Sequence, residues 1–138
     1  MRALIDTSVL LRKLFGEPTP LREWSQIDEA FASRLLLVEL GRTIDRCRLA
    51  GDINDADVEH LHQEARRVLR SVEIIALSET ILLRAAESMP TALGTLDSLH
   101  LATAMALAHE QAAPIVLATH DAQLARAARA SGLDVVGA

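Results

Sequence analysis

The chain is poor in the residues that build disulfide-rich proteins and base-stacking surfaces. Its 138 residues include one cysteine, Cys47, so no internal disulfide can form, which fits a reducing compartment. Only Phe15, Trp24 and Phe31 are aromatic, so few rings are available on which single-stranded bases could stack. We therefore expect contacts with any nucleic acid to be made mainly to phosphate.

The chain also lacks a long apolar segment. Near its start the apolar run covers only residues 3 to 5, far shorter than the core of a signal peptide or a membrane span. No internal repeat, low-complexity tract or Pro/Gly-rich linker divides the sequence. We expect one domain over residues 1–138, soluble and cytoplasmic, without a role at a membrane.

Positive charge is scarce as well. The net charge of −5 argues against a protein that coats nucleic acid through a basic surface. It does not exclude a nuclease, because acids gathered around a metal ion would account for most of the imbalance. The basic residues are thirteen arginines and Lys13, and arginine grips phosphate or carboxylate through a planar fork.

Short apolar segments alternate with helical patterns along the chain. Strands are predicted over 2–5, 72–77 and 115–118, with an edge strand at 135–136. Helices are predicted over about 8–15, 20–28, 34–50, 55–70, 79–88, 96–110 and 121–131. The apolar run 35–38 alone suits a strand or a helix, and Ser33 as N-cap with Gly51 as a stop favours the helix. This alternation predicts an α/β fold, a three-layer α/β/α arrangement with a central, mostly parallel sheet.

Four acidic residues stand where predicted strands stop or within predicted helices, each in a near-apolar setting. Asp6 follows the first strand, Asp121 follows the strand at 115–118, Asp97 opens a helix, and Glu39 lies in Leu-Leu-Leu-Val-Glu-Leu. In open parallel sheets the functional cleft lies beyond the carboxyl ends of the strands, so these acids can converge there. Crowded carboxylates repel one another, and such oxygen-rich clusters hold Mg²⁺ or Mn²⁺.

Each acid also has a simpler interpretation as a helix N-cap or first-turn residue. That alternative is weaker for the four together, because Glu39 is neither a cap nor on an obviously solvated face. Ser8 and Thr119 could bond to the acids or to water on a metal, or could simply cap helices. We interpret His100, one helical turn after Asp97, as a structural residue of an apolar helix.

The segments that carry the acids resemble a known family. They read Leu4-Ile5-Asp6-Thr7-Ser8-Val9-Leu10, Val38-Glu39-Leu40-Gly41-Arg42, Leu96-Asp97-Ser98-Leu99-His100-Leu101-Ala102-Thr103-Ala104 and Leu117-Ala118-Thr119-His120-Asp121. In these segments, and in their order along the whole chain, the protein resembles PIN-domain ribonucleases of the VapC toxin type. The resemblance implies a PIN-like fold, with Asp6, Glu39, Asp97 and Asp121 as its acidic quartet and Thr119 as a nearby hydroxyl. It also implies RNA cleavage with Mg²⁺ or Mn²⁺, a homodimer, and a small cognate antitoxin as partner.

Hydrolysis of a phosphodiester suits these residues on chemical grounds. The reaction needs an activated water, compensation for charge on the phosphoryl group and a stabilised leaving oxygen, which two cations about 3.5 to 4 Å apart can provide. We assign Asp6 and Asp97 as the principal metal ligands, with Glu39 and Asp121 completing the site directly or through water. We thus predict a metal-dependent endoribonuclease, the toxin of a toxin–antitoxin pair.

Two further surfaces are predicted from the helical pattern. Arg42 and Arg46 would share a helix face with Glu39, and could bind RNA phosphates or form surface ion pairs. We predict that Arg42 binds substrate and assign no role to Arg46. The apolar residues of 10–15 and 35–38 could form a groove for an amphipathic helix of the antitoxin, which would place a basic side chain among the acids.

Two other functions fit an acidic pocket on a parallel α/β sheet. One is a Mg²⁺-dependent phosphate-acceptor or phosphatase domain, in which one Asp accepts the phosphoryl group. Such domains typically keep a lysine near the phosphate, whereas Lys13 lies in the first predicted helix with no strand end beside it. The other is a non-catalytic partner-binding scaffold, which would bind metal weakly and turn over no substrate.

Overall fold

A computed structural model describes residues 1–111 and 113–138. Its five strands form one sheet: β1 (Arg2–Ile5), β2 (Glu29–Ser33), β3 (Val72–Ile75), β4 (Val116–Ala118) and β5 (Asp134–Val136). The strand order is β3-β2-β1-β4-β5, and each neighbouring pair is parallel. The predicted fold class is confirmed, and this sheet is parallel throughout.

Helices cover both faces of the sheet. In the described ranges they are α1 (Thr7–Leu14), α2 (Leu35–Leu49), α3 (Asp55–Leu69), α4 (Glu79–Ala86), α5 (Thr95–Gln111) and α6 (Ala122–Ala130). Side chains of β1 alternate between two buried clusters, because successive residues of a strand point to opposite faces. Ala3 and Ile5 belong to the cluster with residues of α1, α2 and α3, whereas Leu4 belongs to the cluster with residues of α5 and α6. The predicted three layers are therefore present.

The order of the strands determines where a site can form. From β1 the chain runs to β2 and β3 on one side, then crosses to β4 and β5 on the other. The point where the order reverses lies between β1 and β4, whose ends are adjacent in register, Ile5 beside Ala118. Open α/β sheets bind their ligands at such a switch point, at the carboxyl ends of the strands.

The predicted helix over 20–28 is wrong. The structure has a short 3₁₀ turn at Arg22–Gln26, followed by β2, which the sequence pattern did not predict. Glu29-Ala-Phe-Ala-Ser contains one strong strand former, Phe31, so local preference for a strand is weak. The segment is extended because it pairs with β1 on one side and β3 on the other, and because Phe31 is buried in the core.

The apolar surface predicted over residues 10–15 is less open than the sequence suggested. Leu10 is fully buried, and Leu11, Leu14 and Phe15 pack against the core cluster beneath α1. In the segment 35–38 only Val38 is largely exposed, at 59 %, and Leu96 is half exposed beside it. Within residues 1–111 and 113–138 no helix is long and apolar enough to cross a bilayer.

Candidate active site

The four predicted acids come together at the carboxyl edge of the sheet. Asp6 directly follows β1 and Asp121 follows β4, whose ends lie side by side. Asp97 comes from the first turn of α5, and Glu39 from the second turn of α2. The charges of the other three acids each raise the pKa of Asp97, so the four carboxylates form one electrostatic cluster.

Asp6 is the most firmly held of the four. It is almost fully buried, and its Oδ1 accepts a hydrogen bond from the Thr7 amide at 2.7 Å. Its Oδ2 accepts from the Ser8 hydroxyl at 2.6 Å and from the Thr119 hydroxyl at 2.9 Å. Hydrogen bonds to an ionised acceptor are strong, so these three donors hold the carboxylate in one orientation.

The same two hydroxyls tie the segment after β4 to Asp6. Ser8 Oγ accepts from the His120 amide at 3.0 Å, and Thr119 Oγ1 accepts from the Asp121 amide at 3.0 Å. Ser8 and Thr119 therefore act as links between the acids and the backbone, and the structure brings both into the site as the sequence suggested.

Asp121 is both a helix cap and a member of the cluster. Its Oδ1 accepts hydrogen bonds from the amides of Gln123 and Leu124 at the start of α6. Among the described residues none donates to its Oδ2. None donates to either oxygen of Asp97, which lies in the first turn of α5.

Glu39 is held by a histidine that sequence reasoning left out of the site. His100 is fully buried, and its Nε2 lies 2.5 Å from Glu39 Oε1 and 3.5 Å from Asp6 Oδ1. Thr7 Oγ1 donates to the same Glu39 oxygen at 2.8 Å. In the sequence, the position of His100 one helical turn after Asp97 indicated that it could approach the site. That spacing could not show that His100 would contact Glu39.

The pKa values of three groups in the cluster differ from their ordinary values. Burial, and then the charges of Asp121 and Asp6, raise the pKa of Asp97. Burial acts to raise the pKa of Glu39 too, but the hydrogen bond and charge of His100 outweigh it and lower that pKa. Burial acts to lower the pKa of His100, yet the Glu39 hydrogen bond and the surrounding acids raise it.

The donor chemistry of the cluster fits a hard divalent cation. Both oxygens of Asp97, Oδ2 of Asp121 and Oε2 of Glu39 accept no hydrogen bond from the described residues, and carboxylate oxygen is the ligand type of Mg²⁺ and Mn²⁺. Across residues 1–111 and 113–138, however, no three His, Cys, Asp or Glu side chains are arranged to hold a metal ion. The side chains as they stand do not close a coordination shell, and Mg²⁺ ordinarily keeps several waters in such sites.

A shallow cavity of about 310 Å³ adjoins the cluster on the α2 side. Glu39, Arg42, Arg46 and the apolar side chains of Val38 and Leu96 are among its lining residues. The Arg42 side chain is 70 % exposed, and its Nη1 lies 3.2 Å from a carboxylate oxygen one turn further along α2. The structure thus has the surface ion pair that was one interpretation of Arg42, and it also brings this side chain to the rim beside Glu39.

The amino-acid sequence is similar to those of known proteins. A family model described as the PIN domain matches residues 3–130. Ribonuclease VapC47 of Mycobacterium tuberculosis (strain CDC 1551 / Oshkosh) is 32 % identical over 135 residues, covering 93 % of this chain and 90 % of that protein.

Solved structures contain chains with the same fold. A chain of VapBC2 from Rickettsia felis, bound to a promoter DNA fragment, matches with a TM-score of 0.69 at 16 % identity, covering 98 % of this chain and 97 % of that one. A chain of a toxin–antitoxin complex from Klebsiella pneumoniae matches with a TM-score of 0.64 at 19 % identity, covering 97 % and 95 %. At these identities the structural matches establish the fold alone.

Replacing Asp97 distinguishes the two interpretations of its position at a helix N-terminus. The pKa of Asp97 is raised in the folded protein, so its ionisation opposes folding above that pKa and has no effect below the ordinary value of about 3.9. Without metal, Asp97→Asn should therefore increase the free energy of unfolding at pH 7. The gain should shrink as the pH falls toward about 3.9. Chemical denaturation in EDTA across this pH range measures it.

A matched control is Asp55→Asn, in the first turn of α3 and exposed. It should lower the free energy of unfolding by about 0.3–1 kcal/mol, the usual result of removing an acid from a first turn. A similar loss for Asp97→Asn at pH 7 would mean that the helix dipole, rather than repulsion within the cluster, governs Asp97.

Proposed function

The chain belongs to the PIN-domain family, and from that premise we propose that it is a metal-dependent endoribonuclease, the toxin of a toxin–antitoxin pair. The proposal treats residues 1–138 as one PIN-like domain. The observation that carries it is the convergence of Asp6, Glu39, Asp97 and Asp121 at the switch point of the sheet. The similarity to Ribonuclease VapC47 over nearly the full length of both chains supports the same activity.

The proposed cofactor is Mg²⁺ or Mn²⁺. Asp6 and Asp97 are its principal ligands in this proposal, and Glu39 and Asp121 complete the site directly or through water. When bound, a divalent cation polarises a phosphoryl oxygen and lowers the pKa of a coordinated water. These four residues are accordingly the catalytic residues of the proposed reaction.

Charge explains why the reaction would depend on a cation. The phosphodiester of RNA is an anion, and at neutral pH it would approach a partly buried cluster of carboxylates. Burial, and then the neighbouring acids, already raise the pKa of Asp97, so a further negative charge is disfavoured there. A cation held by the same carboxylates would offset part of this charge and would present a positive centre to the phosphate.

The chain's own residues keep the site in place for the substrate. Ser8 and Thr119 fix the orientation of Asp6 and connect it to the backbone around Asp121. Asp97, with neither oxygen hydrogen-bonded to any described residue, is available as a ligand. Arg42, on the rim beside Glu39, is the proposed contact to a flanking RNA phosphate.

The phosphate-acceptor alternative receives no support from the position of the single lysine. Lys13 Nζ lies 4.7 Å from the centre of the Trp24 ring, a cation–π contact at the exposed end of α1. Its ammonium group is thus engaged away from the acids. A phosphate-accepting domain would need another cationic group for that role.

An antitoxin helix is the proposed partner at the cavity beside Glu39. Val38 and Leu96 expose 59 % and 50 % of their surface there, although both are large apolar residues. An amphipathic helix could cover them and bring a basic side chain to the acids. The homodimer and the cytoplasmic location stay predictions.

Cleavage of RNA tests the proposed function. The purified chain, without any partner, should cut total cellular RNA into discrete fragments with Mn²⁺ or Mg²⁺ and should not cut it in EDTA. Asp6→Asn and Asp97→Asn should each lower the rate by more than about 100-fold, since even residues that only support metal ligands contribute 10- to 100-fold. Asp55→Asn, the same charge change on α3, should cleave normally. Intact RNA after incubation with folded, metal-bound protein would favour the phosphate-acceptor or scaffold function.

Arg42→Ala should weaken RNA binding. The loss of one phosphate contact should also reduce the slope of log affinity against log salt by about 0.7 for single-stranded RNA. Binding is measured in an Asp97→Asn background, in which RNA stays intact. Arg67→Ala is the matched control, because Arg67 is 71 % exposed and also pairs with an acid three residues away on its helix. Equal salt slopes for the two variants would remove Arg42 from the substrate site.

The antitoxin proposal predicts the effect of a double substitution at the cavity. Val38→Gln with Leu96→Gln should raise the Kd for the product of the neighbouring gene by at least about 10-fold, as loss of central apolar contacts does in interfaces. Leu49→Gln, an equally conservative change at a site 70 % exposed, should bind normally. Failure of the wild-type chain to co-elute with that gene product would count against this partner.

A further inference from the structure

His100 is a costly residue in its position. Its side chain is fully buried within α5, between leucines at 99 and 101. Of its two ring nitrogens only Nε2 has partners, and Nδ1 is buried without a hydrogen bond in the described structure. An unsatisfied buried polar atom destabilises a protein, so an apolar residue of similar size would pack more favourably here.

The direction of the hydrogen bond follows from the partner. An ionised carboxylate can only accept, and Glu39 has a lowered pKa, so Nε2 carries the hydrogen and donates to Oε1 at 2.5 Å. Thr7 Oγ1 donates to the same oxygen at 2.8 Å. Two donors thus converge on Oε1, whereas Oε2 receives none from any described residue.

Glu39 differs from the other three acids in having no helix N-terminus to hold it. Asp6 accepts the first amide of α1, Asp121 accepts two amides of α6, and Asp97 lies in the first turn of α5. Glu39 lies in the second turn of α2, where the amides are already bonded within the helix. Its orientation therefore depends on side-chain donors from other elements.

We propose that His100 is a positioning residue that, with Thr7, fixes Oε1 of Glu39 and so presents Oε2 to the catalytic cation. This rests on the proposed metal-dependent function, and it assigns His100 no direct contact with RNA. Partners that orient metal ligands typically contribute 10- to 100-fold to metal affinity. The hydrogen bond to Glu39 then explains the presence of a buried histidine whose Nδ1 has no partner among the described residues, which packing does not explain.

The test is Mn²⁺ affinity, measured without RNA by the electron paramagnetic resonance signal of unbound Mn²⁺. His100→Leu removes both nitrogens and should raise the Kd for Mn²⁺ by about 10- to 100-fold. His100→Gln keeps an amide donor near the place of Nε2 and should stay close to wild type, whereas His100→Asn keeps its donor near the place of Nδ1 and should not. Thermal melting of each variant in EDTA establishes that it is folded.

Two further variants keep the test decisive. Thr7→Val removes the second donor to Oε1 and should also weaken Mn²⁺ binding, independently of any effect on α5. Thr103→Val removes a buried hydroxyl of α5 whose one hydrogen bond among the described residues is to the Leu99 carbonyl, and should leave Mn²⁺ binding unchanged.

The outcomes separate this inference from the proposed function. Loss of affinity in His100→Leu with recovery in His100→Gln supports the positioning role. Wild-type affinity in His100→Leu, in a chain that cleaves RNA with Mn²⁺, would overturn the role of His100 and leave the ribonuclease intact. Equal losses in His100→Leu and His100→Gln, with Thr7→Val unchanged, would reduce His100 to a packing residue. A wild-type chain that neither binds Mn²⁺ nor cleaves RNA would overturn both.

Discussion

Repulsion among four carboxylates is the constraint on which the site depends. Asp97 has a raised pKa because burial and its acidic neighbours both oppose its charge. Within the described chain the groups that offset this repulsion are few: the hydroxyls on Asp6, the amides at helix starts, and the imidazole of His100. The repulsion at Asp97 is unfavourable for the chain by itself, and the cation proposed above would offset it. The acids are therefore better explained by a ligand than by stability.

The fold provides this cluster by directing the starts of several helices to one edge of the sheet. Helices α1 and α6 begin directly beyond β1 and β4, and Asp6 and Asp121 cap them. Their partial positive ends reduce the repulsion locally. An acid can therefore cap a helix and also bind a metal ion. A carboxylate has about four acceptor sites, so some can accept amides of the helix while others stay available for a cation.

The residues of the site that follow strand ends could be predicted from the sequence. Asp6 and Asp121 could be placed because a parallel sheet brings the carboxyl ends of neighbouring strands to one edge. β2 could not be predicted, because its alanines carry little strand preference and its extended form depends on pairing with β1 and β3. That missing strand did not move the site, since β1 and β4 remain neighbours whether β2 is recognised or not.

The contact of His100 with Glu39 and the burial of Leu10 could not be predicted for a common reason. Helical periodicity gives the face on which a residue lies but not the element that this face meets. His100 faces Glu39, sixty-one positions earlier in the chain, and Leu10 faces the sheet rather than solvent. Both facts depend on how α1, α2 and α5 pack, which no local pattern specifies.

The distribution of positive charge bears on how RNA would reach the acids. Arg66, Arg67 and Arg70 lie at the end of α3, just before β3 begins, and hence at the amino edge of the sheet, opposite the acidic cluster. This group cannot neutralise the field at the carboxyl edge, where Arg42 and Arg46 are the arginines beside Glu39. Two exposed arginines cannot outweigh four carboxylates for an approaching phosphate, because exposed charges are well screened. In the proposed reaction the four acids would hold a cation that offsets part of their charge, so that the phosphodiester would meet a less negative edge than the acids alone present.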